Sequence, residues 1–323
     1  MILVTGGAGY IGGTTARYLI EQGEQVVILD SLVSSNEEDV PKNAIFYKGD
    51  IADTELVTNI VKKHNIEACL HFAAFIEVAE SVENPYKYFE NNTSKSLILI
   101  NTLKNNGVSK IVFSSTAAVY GEPKYTPIDE NHPLNPVNPY GMSKFFIENI
   151  LSSYDASSNV RFVALRYFNA CGAWGGSGEK HNPETHLIPL ILQVPLGKRE
   201  KIYINGTDYN TPDGTCIRDY IHVYDLANAH YLALKYLRAG GKSEKINLGT
   251  GKGFSIKEVI EVCEKVAEKE INKEIRGRRA GDPAVLIASN KKAKEILGWN
   301  ITYNNLYDIV QSAYLFHSNI FKS

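Results

Sequence analysis

A doubly wound parallel α/β sheet carrying a second, smaller domain is the architecture this sequence predicts. Three observations lead there. The chain opens as strand, glycine-rich turn, helix and strand within its first 30 residues. Apolar runs then recur after helical segments as far as about residue 167. Beyond that point the character changes to a Gly-, Asn- and charge-rich loop and short runs broken by proline. Strands alternating with helices imply right-handed crossovers, and so a parallel sheet covered on both faces.

Each element has its own signal. Ile2-Leu3-Val4 is a short apolar strand, and Tyr10 to Gln22 has helical spacing through Ile11, Tyr18 and Leu19, stopping at Gly23. Gln25 to Leu29 is a second buried strand ending at Asp30. Later strands are expected at Ile45–Tyr47, Ala68–Phe72, Ile111–Phe113 and Phe162–Leu165, six or seven in all. Residues 171–183 read as a long loop. Arg218 to Leu237 reads as strand then helix, returning to the first sheet, and residues 245–315 alternate short strands with helices such as Ser255 to Lys269. The expected division is a dinucleotide-binding domain over 1–170, rejoined by 217–245, and a substrate domain from 171–216 and 246–323.

Composition narrows the function classes. The 323 residues are 44% apolar and 22% charged, as in a globular enzyme, with a formal charge of −2. A near-neutral chain has no global field for gripping nucleic acid or an anionic membrane, and neither partner is expected. No apolar stretch approaches the ~18 residues of a membrane helix, and the N-terminus has no basic leader before an apolar run. Cys69, Cys171, Cys216 and Cys263 lie far apart, without metal-ligand spacing, and read as free thiols in a reducing cytoplasm.

The opening turn places glycine at 6, 9 and 12. Glycines permit a tight turn and close approach of a pyrophosphate to the backbone, and the helix N-terminus then faces the negative charge. The bland alternative is a turn with Asp30 as a helix cap. The strand–turn–helix context and an acid 18 residues after Gly12 favour a Rossmann-type dinucleotide site. Asp30 suits two ribose hydroxyls and would repel a 2′-phosphate. With no Arg or Lys in the next five residues, the cofactor expected is NAD.

A second constellation is Tyr140-Gly-Met-Ser-Lys144, after Asn138-Pro139 at a helix start. Tyr140 and Lys144 are then i and i+4, on one face and roughly 6 Å apart. A phenol titrates near ~10, and a neighbouring ammonium and a cationic nicotinamide both favour the phenolate, a usable general base. Alone, this spacing is common helix surface; behind a dinucleotide fold it points to chemistry. Ser114-Ser115-Thr116 adds hydroxyls at the carboxyl end of an apolar strand, where such sheets bind ligands.

At these residues the chain resembles the extended short-chain dehydrogenase/reductases, and within them the UDP-glucose 4-epimerase family. The likeness covers essentially the whole chain, through TGGAGYIG (5–12), LDSLVSS (29–35), GDI (49–51), HFAAFIEVAES (71–81), NNTSKS (91–96), FSSTAAVYG (113–121), NPYGMSK (138–144), RYFNACGA (166–173), THLIP (185–189), DGTCIRDYIHVYDLA (213–227) and RRAGDPA (278–284). The resemblance implies that Tyr140 takes the proton of the sugar 4-OH while hydride passes from C4 to tightly bound NAD. The 4-keto sugar then turns about its diphosphate link, and hydride returns to the other face. It gives Thr116 a hydrogen bond to the 4-oxygen, and gives Lys144 the nicotinamide ribose and the lowering of the Tyr140 pKa.

Carried over position by position, cofactor contacts fall on Gly6, Gly9, Tyr10, Ile11, Gly12, Asp30, Ser31, Leu32, Val33, Ser34, Ser35, Asp50, Ile51, Phe72, Ala73, Ala74, Phe75, Ile76, Asn91, Thr116, Tyr140, Lys144 and Phe168. UDP-sugar contacts fall on Thr116, Tyr140, Asn169, His186, Leu187, Tyr203, Ile204, Asn205, Arg218, Arg279, Asp282 and Leu286. The two arginines make sense unaided, since a diphosphate needs fixed cationic forks.

Two departures matter. Ile76 stands where some relatives place a Lys that reaches the nicotinamide ribose. Leu286 stands where relatives vary between large and small residues beside the sugar, so N-acetylhexosamine or pentose nucleotides compete with hexose as substrates. Dehydratases of the same family carry Asp-Glu after the active-site Thr, and decarboxylases a Glu; here Ala117-Ala118 has no proton-transfer group. A non-catalytic dinucleotide sensor would tend to lose the Tyr and Lys, which this chain keeps. Glu179, His181, Glu184 and His186 crowd one loop, but their irregular spacing predicts no metal. His222 reads as a packed polar residue. The helices around 92–103 and 145–151 predict a homodimer seam, as in relatives.

Overall fold

The computed structural model describes residues 1–279 and 281–321. Seven parallel strands form the main sheet: β1 (Ile2–Thr5), β2 (Val26–Asp30), β3 (Ile45–Lys48), β4 (Ala68–His71), β5 (Lys110–Thr116), β6 (Arg161–Tyr167) and β7 (Glu244–Leu248). Their order is β7-β6-β5-β4-β1-β2-β3, the doubly wound arrangement expected. The order reverses between β1 and β4, and such switch points are where these sheets bind ligands.

Alternation along β1 shows how both faces are covered. Ile2 and Val4 join the core under helix α1 (Tyr10–Glu21) and α5 (Val223–Arg238), while Leu3 joins the core under α2 (Thr54–His64) and α3 (Ser96–Asn105). Helix α4 (Pro139–Ser157) completes the second face with Ile147 and Leu151. Local chemistry sets the helix ends. Asp53 accepts the Leu56 N–H at the start of α2, and Lys62, Lys63 and His64 sit in its last turn, favourable to the helix dipole. Asn138 accepts the Gly141 N–H at the start of α4, where Pro139 occupies the first position.

The smaller region has its own core, around Ile188, Ile191, Val259, Cys263, Ile309 and Val310. Strand Ile202–Asn205 pairs in parallel with Lys273–Arg276. Strand Ile217–Arg218 lies between Phe254–Ser255 and Val285–Leu286. Helix Ile256–Ala267 starts with a capping box from Ser255 and Glu258.

Three details differ from the sequence reading. The strand rejoining the main sheet is β7, beyond α5; Tyr220–His222 pairs with Asn169–Cys171 instead. The loop over 171–183 contains a tight hairpin, Ala173–Trp174 against Ser177–Gly178. Ala293, Leu297 and Trp299, assigned by sequence to the smaller domain, pack into the main core, and the buried Trp299 indole donates to the Asp225 carbonyl at 2.9 Å. An apolar i, i+4 pair and a large ring need a deep core, and the one within reach lies beside α5. All four cysteines are free and buried.

Candidate active site

The dinucleotide side is built by close backbone approach. Gly6 has φ +71°, and a Cβ there would lie 2.6 Å from the Ala73 nitrogen. A Cβ on Gly12 would lie 2.2 Å from the Gly6 carbonyl oxygen. No side chain caps the start of α1 and no acid lies in its first turn, which leaves the terminus suited to a phosphate. Asp30 ends β2 and accepts from the Ala8 N–H (3.0 Å), the Leu32 N–H (2.9 Å) and the Ser35 hydroxyl (3.1 Å). Leu32 takes a left-handed backbone, φ 59°, unusual for a branched residue and typical of ligand-shaping turns. This cradle fits a dinucleotide with free ribose hydroxyls.

The cradle's floor is fixed from below. Phe72 and Ala73 leave β4 with their N–H groups on the Thr5 carbonyl. Asn92 clamps Phe75 in both directions, accepting from its N–H and donating to its carbonyl at 2.9 Å, and also donates to the Ser143 hydroxyl in α4. Asn91 and Asn92 lie on a π-helical stretch, Phe89–Lys95, a rare geometry frequent at functional sites. Asn92 was absent from the sequence-derived contacts, although the NNTSKS segment contains it. Asp50 is ion-paired to Lys95 at 2.6 Å, while Ile51 is buried in the core. The Tyr10 hydroxyl donates to the Gly172 carbonyl, so this side chain joins the two regions.

Thr116, Tyr140 and Lys144 meet at the carboxyl end of β5. The Thr116 hydroxyl accepts the Ala118 N–H at 3.1 Å and lies near enough to the Tyr140 phenol to draw its pKa down. Gly141 makes this contact possible: a Cβ there would sit 2.7 Å from the Ala118 carbonyl. The buried Lys144 ammonium donates to the Ser114 carbonyl at 2.8 Å and lies 5.0 Å above the Phe113 ring. Burial lowers its pKa to about 7.

Burial pushes the Tyr140 pKa up, the nearby Thr116 hydroxyl draws it down, and the Glu77 carboxylate pushes it up again. Lys144 is not among the groups that move it. Glu77, also absent from the sequence-derived site, accepts the Thr185 hydroxyl at 2.7 Å and so ties the 72–77 segment to the 179–186 loop.

The remaining candidates spread over the smaller region. Arg218 lies 3.6 Å from Asp282, and Leu286 pairs in register with Arg218 while packing against the buried cluster of Val119, Tyr120 and Ile128. That packing brings Leu286 beside the segment that follows Thr116. Asn169 donates to the Asp219 carbonyl. Tyr203 and Asn205 share one face of their strand, whereas Ile204 is in the core, leaving its backbone alone to meet a ligand. The Arg276 guanidinium stacks 3.2 Å from the Tyr203 ring centre, a contact hidden within a short basic run of sequence. His186 precedes the helix carrying Leu187, and Arg279 is exposed. His222 is fully buried, stacked on Tyr303 at 3.7 Å.

A doubly wound sheet with this cradle and a Thr–Tyr–Lys cluster defines a dinucleotide-dependent enzyme class, and the comparisons agree. The model of the NAD dependent epimerase/dehydratase family matches residues 2–249, and the chain belongs to that family. Within it, a UDP-glucose 4-epimerase of Halalkalibacterium halodurans is 52% identical over 318 residues, 98% of this chain and 95% of that protein. The solved UDP-glucose 4-epimerase from Brucella ovis, in complex with NAD, has a TM-score of 0.95 at 42% identity, covering 98% of both chains. That from Bifidobacterium longum, in complex with NAD+ and UDP, has a TM-score of 0.91 at 37% identity, again covering 98% of both.

Proposed function

We propose that this protein interconverts UDP-glucose and UDP-galactose by inverting C4 of the sugar through a 4-keto intermediate. The observation that carries the reading is the Tyr140 phenol beside the Thr116 hydroxyl at the end of β5, with Lys144 one turn along the same helix. NAD, when bound, supplies the acceptor and donor of the hydride. The glycine turn and the α1 N-terminus bind its pyrophosphate, and Asp30 holds ribose hydroxyls. Tyr140 Oη takes the proton of the sugar 4-OH and later returns it. Thr116 Oγ1 orients the 4-oxygen, and Lys144 Nζ holds the second ribose. Arg218 and Arg279 hold the diphosphate. Ala117 and Ala118 carry only methyl groups, which leaves no acid or base to drive elimination.

The sugar must turn over between the two half-reactions, so binding energy belongs on the nucleotide, shared by both epimers. A homodimer through α3 and α4 is part of the same reading: Leu97, Ile98 and Phe146 are exposed there, and Phe146 clusters with Phe89 and Phe145. Four buried free thiols fit a cytoplasmic setting. No helix among the described residues is long and apolar enough to cross a membrane.

The test is incubation of purified protein with UDP-galactose and no added NAD, followed by separation of the sugar nucleotides. UDP-glucose should form without net NADH. Stoichiometric NADH with an oxidised product would overturn the reading in favour of a dehydrogenase.

A further inference from the structure

We infer that Glu179, His181, Glu184 and His186 form a binding site for one zinc-type divalent cation. Their spacing along the chain argued against it, because 179, 181, 184 and 186 follow neither a helical nor a strand period. The fold removes that objection. The segment runs from the Ser177–Gly178 strand to His186, which precedes helix Leu187–Leu192, and it turns back on itself between those anchors. One donor atom from each of the four residues then lies within 4.8 Å of all the others.

The nearer separations are 2.8 Å between His186 Nδ1 and Glu179 Oε1, 3.0 Å between His186 Nδ1 and Glu184 Oε1, and 3.1 Å between His181 Nδ1 and Glu179 Oε1. Zinc bound tetrahedrally at about 2.0–2.2 Å keeps its ligand atoms roughly 3–3.5 Å apart, so the nearest atoms would move slightly apart and the farthest, within 4.8 Å, would draw together. Two imidazoles with two carboxylates suit zinc and its neighbours better than magnesium or calcium, which favour oxygen alone. The two carboxylates also neutralise the ion.

A second observation points the same way. Glu179 is 4% exposed, and its Oε2 is buried with no hydrogen-bond partner, although both imidazoles crowd its Oε1. A buried carboxylate oxygen without a donor is costly, and a cation held by both oxygens of Glu179 would satisfy it. Every polar contact of the His186 ring uses Nδ1, which leaves Nε2 for the UDP-sugar contact that the family resemblance implies. The ion would thus tie down the loop whose Thr185 reaches Glu77 across the site.

Untagged protein, treated with chelator and dialysed, would be titrated with Zn²⁺ against a chromophoric chelator and with Co²⁺ by visible absorption. The expected result is one saturable equivalent, the intense bands of four-coordinate Co²⁺ and proton release on binding. His181→Ala, at a ring 22% exposed, and Glu179→Gln should each weaken binding at least tenfold, while His64→Ala, on α2, should not. Absence of saturable binding in the wild type, or equal affinity in His181→Ala, would overturn the site. Should Glu179→Gln fail to fold, His181→Ala decides alone. These are binding readouts, so a failure of epimerase activity with metal binding intact counts against the proposed reaction and not against this site.

Discussion

Tyr140, Lys144 and Leu286 each show one residue under two opposed demands. The Tyr140 side chain is partly buried, and its desolvation favours the neutral phenol, yet its proposed work needs the phenolate. Tyr140→Phe keeps the ring and removes the titrating group; turnover should fall by about 10² or more with NAD still bound, measured by initial rates and cofactor absorbance. Lys144 is an ammonium held where burial lowers its pKa to about 7 from 10.5. Between those values the unfolded chain binds more protons than the folded one, so this group's contribution to stability rises with pH and is least favourable below pH 7. Lys144→Met should therefore raise the melting temperature of ligand-free protein relative to wild type more at pH 6 than at pH 9, while impairing NAD retention and turnover. A gain that does not shrink with pH would show that the ammonium is not penalised. Leu286 packs against the segment after Thr116. Hexose nucleotides should be good substrates and N-acetyl sugars weaker ones. Leu286→Ser should raise the N-acetyl to hexose ratio of kcat/KM about tenfold, equivalent to ~1.4 kcal/mol of relieved crowding. An unchanged ratio would place another wall at the sugar.

At the scale of elements, the site depends on how closely α4 approaches the end of β5. Gly141 is the contact point, and added bulk there meets the Ala118 carbonyl at 2.7 Å. Gly141→Ala should tilt the start of α4 away and separate Tyr140 from Thr116. We expect kcat to drop by tenfold or more with little change in the affinity for UDP, read by steady-state kinetics and UDP titration. The same junction shows what was legible beforehand. Pro139 and Asn138 announced the start of α4, because a proline at the first position and an Asn cap are local signals. The π-helical stretch at Phe89–Lys95 was not legible, because its extra residue per turn is imposed by packing against α4 and α3. With it went the double clamp of Asn92 on Phe75.

Across the whole molecule, the exposed faces of α3 and α4 ask for a partner. Phe146→Asp should convert the proposed dimer to monomer, as measured by light scattering at micromolar concentration; a dimer that survives would locate the seam elsewhere. The assembly of the two regions also governs the site. Leu286 reaches the Thr116 side through a two-residue strand paired with Ile217–Arg218, far from it in sequence. The Tyr10–Gly172 hydrogen bond and the Thr185–Glu77 contact cross between the same regions.

By itself the sequence determined the sheet, its parallel connections and the glycine cradle. Strand and helix periods, proline, glycine and capping residues act over a few positions, and their pattern is readable without knowing the fold. It also supplied the chemical inventory at 116, 140 and 144. Tertiary structure decided what those groups face. It turned Lys144 to Ser114 and brought Glu77 near the Tyr140 phenol. It placed Trp299 in the main core, and it drew Glu179, His181, Glu184 and His186 within 4.8 Å of one another. Distances between loops, and the desolvation that shifts a buried charge, depend on the packing of the entire chain and leave no local trace in composition or spacing.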